Sequence, residues 1–124
     1  MADVNAIAKQ FVDYYYSTFA GNRPGLATLY RDSSMMTWEG QQIQGVGPII
    51  EKLSSLPFEK VAHRVTTLDA QPSSPSQPSM IVLVTGLLIV DDSQNPLNFS
   101  QTFQLYPEAG TYFVQNDVFR LNYG

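Results

Sequence analysis

Two aspartates, Asp91 and Asp92, follow directly on the most apolar stretch of the chain, Met80 to Val90. Alternation along a strand sends Met80, Val82, Val84, Leu88 and Val90 to one face and Ile81, Leu83, Leu87 and Ile89 to the other. Acids at the end of such a strand sit at the rim of whatever it helps to enclose. Read alone, the pair is a solvated strand end. Placed near Glu39, it would form an acidic rim around an apolar hole. That arrangement suits a partner that inserts a hydrophobic side chain flanked by Lys or Arg, because buried anchors dominate interface energy and rim charges set orientation and association rate. Trp38, beside Glu39 on a short strand, reads either as packing or as the wall of that hole.

A second pair could move protons. His63 alternates with Val61 and Val65, and Asp117 shares a strand face with Phe113, Phe119 and Leu121. A partly buried Asp117 needs a partner, and His63 or Arg64 could serve. A His–Asp pair in an apolar cavity is also how an enzyme builds a general base, although a satisfied interior histidine is the plainer reading of His63. Other chemistries lack their residues. The chain has no cysteine and a single histidine, which removes disulfides, thiolate sites and multi-histidine metal sites. Gly45-Val46-Gly47 lacks the third glycine and the strand-to-helix context of a nucleotide loop, and no Gly-x-Ser-x-Gly elbow occurs.

Eleven acids against seven bases give 124 residues a net charge of −4, with no basic run to meet a nucleic-acid backbone. An acidic surface sooner attracts a basic patch on another protein. The N-terminus has neither the basic nor the apolar segment of a secretory signal. The longest apolar run is well short of the ~20 residues that cross a bilayer as a helix. The chain therefore reads as soluble and intracellular, with no membrane partner.

The elements that must position these residues follow from periodicity. Val4, Ile7, Ala8, Phe11, Tyr15, Thr18 and Phe19 mark a long amphipathic helix, capped by Asp3 and closed near Gly21. Pro24 opens a short helix through Leu26, Leu29 and Tyr30. Residues 31–34 read as a turn, and Met35–Glu39 and Gln42–Gln44 as a hairpin around Gly40. Gly45 to Pro57 brackets a third helix, with Val46, Ile49, Ile50, Leu53 and Leu56 on one stripe. The period then changes to two, predicting strands over Phe58–Asp69, Met80–Val90, Asn98–Tyr106 and Thr111–Leu121. Gln71–Ser79, with three prolines and four serines, is a surface loop. Helices first and strands afterwards predict an α+β domain over residues 1–124, with helices on one face of a curved sheet. A strand apolar on both sides needs cover on both, and a second copy of the chain is the candidate for the outer one.

Specific stretches carry a resemblance. Thr37-Trp38-Glu39-Gly40-Gln41-Gln42, the segment from Val46 to Phe58, Thr66 to Pro72, Phe99-Ser100-Gln101-x-Phe103-x-Leu105 and Asn116-Asp117-x-Phe119-Arg120-Leu121 closely resemble the nuclear transport factor 2 family, its fungal members above all. The resemblance implies a homodimer of cone-shaped α+β domains, each a strongly curved, mainly antiparallel sheet wrapped by three helices around a hydrophobic cavity. It implies import of the GDP-bound small GTPase Ran into the nucleus, through pores whose nucleoporins carry phenylalanine-glycine repeats, without cofactor or catalysis. The corresponding locations are cytoplasm, nucleus and nuclear pore. Carried over by residue, Glu39, Asp91 and Asp92 take the Ran-binding acidic roles, and Trp38, Leu56, Phe58, Val61, Leu88, Val90 and Phe119 line the cavity. Leu83, Thr102 and Val118 fall on the dimer surface, and Val4 falls where the family places an aromatic nucleoporin contact. Ser93 stands where the family commonly has a further acid. The alternative is a small-molecule dehydratase or isomerase of the same fold, using His63 and Asp117.

Overall fold

A computed structural model of the chain describes residues 3–57, 60–91 and 94–122. Helix α1 runs Val4–Gly21, with the Asp3 carboxylate accepting the N–H groups of Asn5 and Ala6 at its free end. A 3-10 helix follows at Arg23–Leu29, and α2 spans Val46–Ser54. Six strands, β1 (Tyr30–Trp38), β2 (Gln41–Gln44), β3 (Val61–Pro72), β4 (Met80–Val90), β5 (Leu97–Glu108) and β6 (Thr111–Asn122), form one sheet in the order β2-β1-β6-β5-β4-β3. Strand β1 runs parallel to β6, and the remaining neighbours pair antiparallel.

This architecture corrects one expectation. The fold is α+β, but the sheet is neither strongly curled nor closed, so the strongly curved cone is not what the chain forms. Its edges, β2 and β3, do not pair with one another, and β2 is only four residues long, so the ladder has nothing with which to close on itself. Bending is local instead, at three register shifts: between Tyr30 and Met35 in β1, Val65 and Thr67 in β3, and opposite Gln104 and Leu105 of β5.

Each shift also overturns a simple alternation. Residues 31–34 belong to β1 and are not a turn. The buried Ser34 hydroxyl bridges the gap in the ladder, accepting the Arg31 N–H and donating to the Val114 carbonyl. In β3 the faces swap past Val65, which becomes exposed while Leu68 and Ala70 turn toward the core. In β6, Val114 and Asp117 face inward and Phe113 does not share their face. It packs on Tyr106 beneath the Arg31 guanidinium.

Helices α1 and α2 and the 3-10 helix lie on the inner face, over Phe99, Phe103, Leu105, Val114 and Phe119, all fully or almost fully buried. The β3 bulge wraps Gly86 so closely that a Cβ there would lie 2.1 Å from the Arg64 carbonyl oxygen. Backbone cannot yield as a side-chain tip can. Gly86→Ala should therefore lower stability by about 1–3 kcal/mol in denaturant titration, whereas alanine at Gly47, which meets nothing within 4 Å, serves as the mild comparison.

Candidate functional site: acids over an aromatic floor

Strands β1, β4 and β6 end at the same end of the sheet, because β4 and β6 flank the antiparallel β5 and β1 runs with β6. Glu39 and Asp91 are therefore brought to the same end of the sheet. They lie three strand spacings apart across β1-β6-β5-β4, and the register sets Trp38 level with Phe119, Gln101 and Val84, so Asp91 stands about 20 Å farther along the strand direction than Glu39. Both residues adopt left-handed backbone, with φ of 51° for Glu39 and 50° for Asp91. The Glu39 N–H donates to the Phe119 carbonyl at 3.1 Å, and its carboxylate accepts the Leu121 N–H of the same strand. The Asp91 N–H donates to the Lys60 carbonyl at 2.8 Å, and its carboxylate accepts the Lys60 N–H at 2.9 Å. The same device fixes both acids: each extends its strand by one backbone bond and caps the neighbouring strand with its side chain. Asp92, Ser93 and Phe58 lie outside the described residues.

Below the rim lies an aromatic floor. Trp38 stacks on Phe119 with centroids 4.2 Å apart and planes 7° apart, and Phe119 lies 5.7 Å from Phe99. Val61, paired with Val90, and Leu88, opposite His63, continue the inner face toward Asp91. Leu56 and Val90 are partly buried against this core, whereas Trp38, Val61, Leu88 and Phe119 are buried. His63 stacks on Tyr16 at 4.1 Å, with Phe19 and Phe99 edge-on. Its Nδ1 is buried without a hydrogen-bond partner among the described residues, and burial lowers its pKa to about 3, so the ring is neutral.

Asp117 does not pair with His63 or Arg64. Its Oδ2 accepts from Tyr30 Oη at 2.7 Å and Tyr15 Oη at 3.3 Å, its Oδ1 accepts from Gln101 Nε2 at 2.7 Å, and Gln101 Oε1 accepts from Tyr16 Oη at 2.8 Å. Burial lifts the Asp117 pKa to about 6 against the downward pull of the Gln101, Tyr30 and Tyr15 hydrogen bonds. Sequence reasoning named neither Gln101 nor the tyrosines as partners. The available signal was Gln101 itself, a polar residue alternating between Phe99 and Phe103 on an otherwise apolar face.

Residues 7–121 match the model of the nuclear transport factor 2 (NTF2) domain. Nuclear transport factor 2 of Emericella nidulans is 64% identical over 124 residues, covering 99% of this chain and 98% of that one. The chain belongs to the nuclear transport factor 2 family. The solved nuclear transport factor 2 of Cryptosporidium parvum superposes with a TM-score of 0.88 at 46% identity, covering 98% of this chain and all of that one. Yeast Ubp3-associated protein Bre5, at 22% identity over the whole of both chains, reaches a TM-score of 0.89 and so shares the fold alone. With the family comes its function. The chain is a non-catalytic nuclear import factor for GDP-bound Ran, a homodimer that binds phenylalanine-glycine nucleoporins and works between cytoplasm, nuclear pore and nucleus. The dehydratase alternative gives way to this assignment, and the separation of His63 from Asp117 into different hydrogen-bond environments agrees with it.

The buried carboxyl has a measurable consequence. Its native pKa of about 6 exceeds the ordinary 3.8, so the native state holds the proton more tightly than the unfolded chain does. The stability this contributes is fully present below pH 3.8 and is lost as pH rises through about 6. The difference between the two pKa values corresponds to about 3 kcal/mol. Denaturant titrations at fixed protein concentration should show this fall in the parent chain and not in Asp117→Asn. Parallel curves for the two proteins would show that Asp117 does not titrate in this range.

Proposed function

We propose that Glu39, Asp91 and Asp92 are the acids that meet Ran, and that Trp38, Leu56, Phe58, Val61, Leu88, Val90 and Phe119 form the apolar socket between them. One observation carries this reading. Glu39 and Asp91 stand toward the same end of the sheet in the same unfavourable left-handed conformation, each fixed by backbone and side-chain bonds to the neighbouring strand. Residues held there at a cost of about 1 kcal/mol or more are placed in advance of binding, which spares a partner the work of ordering them. The stacked rings of Trp38 and Phe119 then offer an apolar floor to an inserted aromatic side chain.

Charge reversal tests the assignment. Glu39→Lys and Asp91→Lys should each weaken binding of GDP-loaded Ran about 100-fold or more in calorimetry, with the dimer intact by sedimentation. Glu39→Gln keeps an acceptor for the Leu121 N–H and loses only the charge, so it should fall between the parent chain and the lysine variant. Unchanged affinity in the charge-reversed proteins would refute the assignment.

The outer face of the sheet is the proposed dimer surface. Leu83 pairs with Thr102 and Thr102 with Val118, one row across β4, β5 and β6. Leu83 is 42% and Val118 48% exposed in the single chain. We assign residues 1–124 to one domain of the family, with nucleoporin repeats meeting α1 at Val4. That residue begins a stripe continued by Ile7, Phe11 and Tyr14, which line a groove of about 450 Å³ with Leu29 and Tyr112. Placing a charge in the middle of the proposed dimer row, as in Val118→Glu, should shift sedimentation from dimer to monomer. A variant that stays dimeric at micromolar concentration would place the interface elsewhere.

A further inference from the structure

The loop between β3 and β4 takes no part in the rim, the floor or the dimer row, yet its serines are tied together by hydrogen bonds. Its base is clamped twice: the Ser73 N–H donates to the Ser79 carbonyl at 3.0 Å, and the Ser73 and Ser79 hydroxyls bond at 3.0 Å. Gln104 Nε2, from β5, donates to Ser73 Oγ at 3.3 Å. Residues 74–78 stand out from this clamp, with Pro75, Ser76, Gln77 and Pro78 exposed and Ser74 half-buried. Ser74-Pro75 is the one Ser-Pro dipeptide in the sequence. A residue before proline is driven toward extended backbone, the form in which a kinase cleft takes its substrate, and proline at the following position offers no amide hydrogen.

We propose that Ser74 is a phosphorylation site for a proline-directed serine/threonine kinase, and that its phosphate weakens self-association. In the transfer, Ser74 Oγ attacks the γ-phosphorus of ATP, the bond to the bridging oxygen of ADP breaks, and the serine proton passes to the kinase's catalytic carboxylate. The product finds donors in place. The Ser76 N–H already points at Ser74 Oγ at 3.2 Å, and the Ser76 hydroxyl lies 3.2 Å away. Both can bond phosphate oxygens and hold the new charge at the loop.

The consequence for assembly rests on the outer-face reading of the dimer. Gln104, which holds the loop base, lies two residues along β5 from Thr102 and on the same face, about 7 Å away. Asp69 lines the same outer patch with Ile81, Leu83 and Thr102. Phosphate adds a charge of about −1.5 to −2 to a chain already at −4, in a loop whose base Gln104 ties to the face proposed to meet its own copy.

The test treats the full chain with a cyclin-dependent or mitogen-activated kinase and ATP, and maps phosphate by tandem mass spectrometry. Incorporation at Ser74 that is lost in Ser74→Ala and Pro75→Ala, and kept in Ser76→Ala, supports the site. No incorporation, or incorporation indifferent to Ser74→Ala, overturns it. Sedimentation equilibrium of the phosphorylated chain should show a dimer dissociation constant raised about three- to tenfold at low salt, with the effect shrinking as salt is added. An unchanged constant overturns the effect on assembly. Failure of the outer-face reading is separately visible, as Val118→Glu remaining dimeric, and would remove the link to assembly while leaving Ser74 as the modified residue.

Discussion

Strand β4 has to be dry on both sides, and the rest of the molecule is arranged around that requirement. Met80, Val82, Val84 and Leu88 are buried under the helices, while Ile81 and Leu83 project from the other face and remain exposed in a single chain. Fully burying a side chain such as Leu83 or Val118 is worth about 1.5–3 kcal/mol, so an outer face carrying such residues favours a second copy. On the proposed placement of the interface, the homodimer supplies it. The sheet consequently needs no closure to protect itself, which accords with its open form and its short edge strand β2.

A dimer built on the outer face leaves the strand ends free, and there the chain places its acids. Glu39 and Asp91 occupy backbone that ordinarily favours glycine. Gly40 follows Glu39 with φ of 87° and Gly110 follows Ala109 in a similar pair, so the β1–β2 and β5–β6 connections are two-residue turns of the kind that match strand twist. In such a turn the first residue's side chain has a defined direction. A glutamate there can reach the next strand and cap its free N–H, which an asparagine or glycine optimised for the turn alone would not do. Turn chemistry and the proposed partner recognition thus share one residue, and the strain is carried by hydrogen bonds to β6 and to Lys60.

Much of this was legible in the residues. The helix stripe from Val4 to Phe19, the long apolar strand, the hairpin at Gly40 and the inward alternation of Leu88 with Val82 and Val84 follow from periodicity and turn chemistry, and the structure has them. The misread positions share a cause, since period-two reasoning assumes an unbroken ladder. One extra residue near Thr66 turned Thr67 outward and Leu68 inward, and another near Gln115 put Phe113 and Asp117 on opposite faces. Ser34, which patches the ladder of β1 with its hydroxyl, looks in sequence like a turn residue. Sheet curvature was equally out of reach, because it depends on where such bulges fall and on whether distant edges meet.

The buried polar groups show why the same interior serves binding in one protein and proton transfer in another. A general base needs a titratable group within reach of substrate, with its proton free to leave. Asp117 is instead held by two phenols and an amide, all fixed by packing between α1, β1, β5 and β6. Its neighbours' phenol pKa values are raised by burial first and by its own charge second, so they act as fixed donors. His63 is neutral, stacked on Tyr16 with Phe19 edge-on, and its buried Nδ1 has no hydrogen-bond partner among the described residues. The two groups that sequence reasoning would join into a catalytic pair thus spend their polarity on different neighbours. What the end of the sheet keeps is the charge of Glu39 and Asp91 over a packed, buried aromatic cluster, and on the proposed reading that arrangement serves to hold a partner.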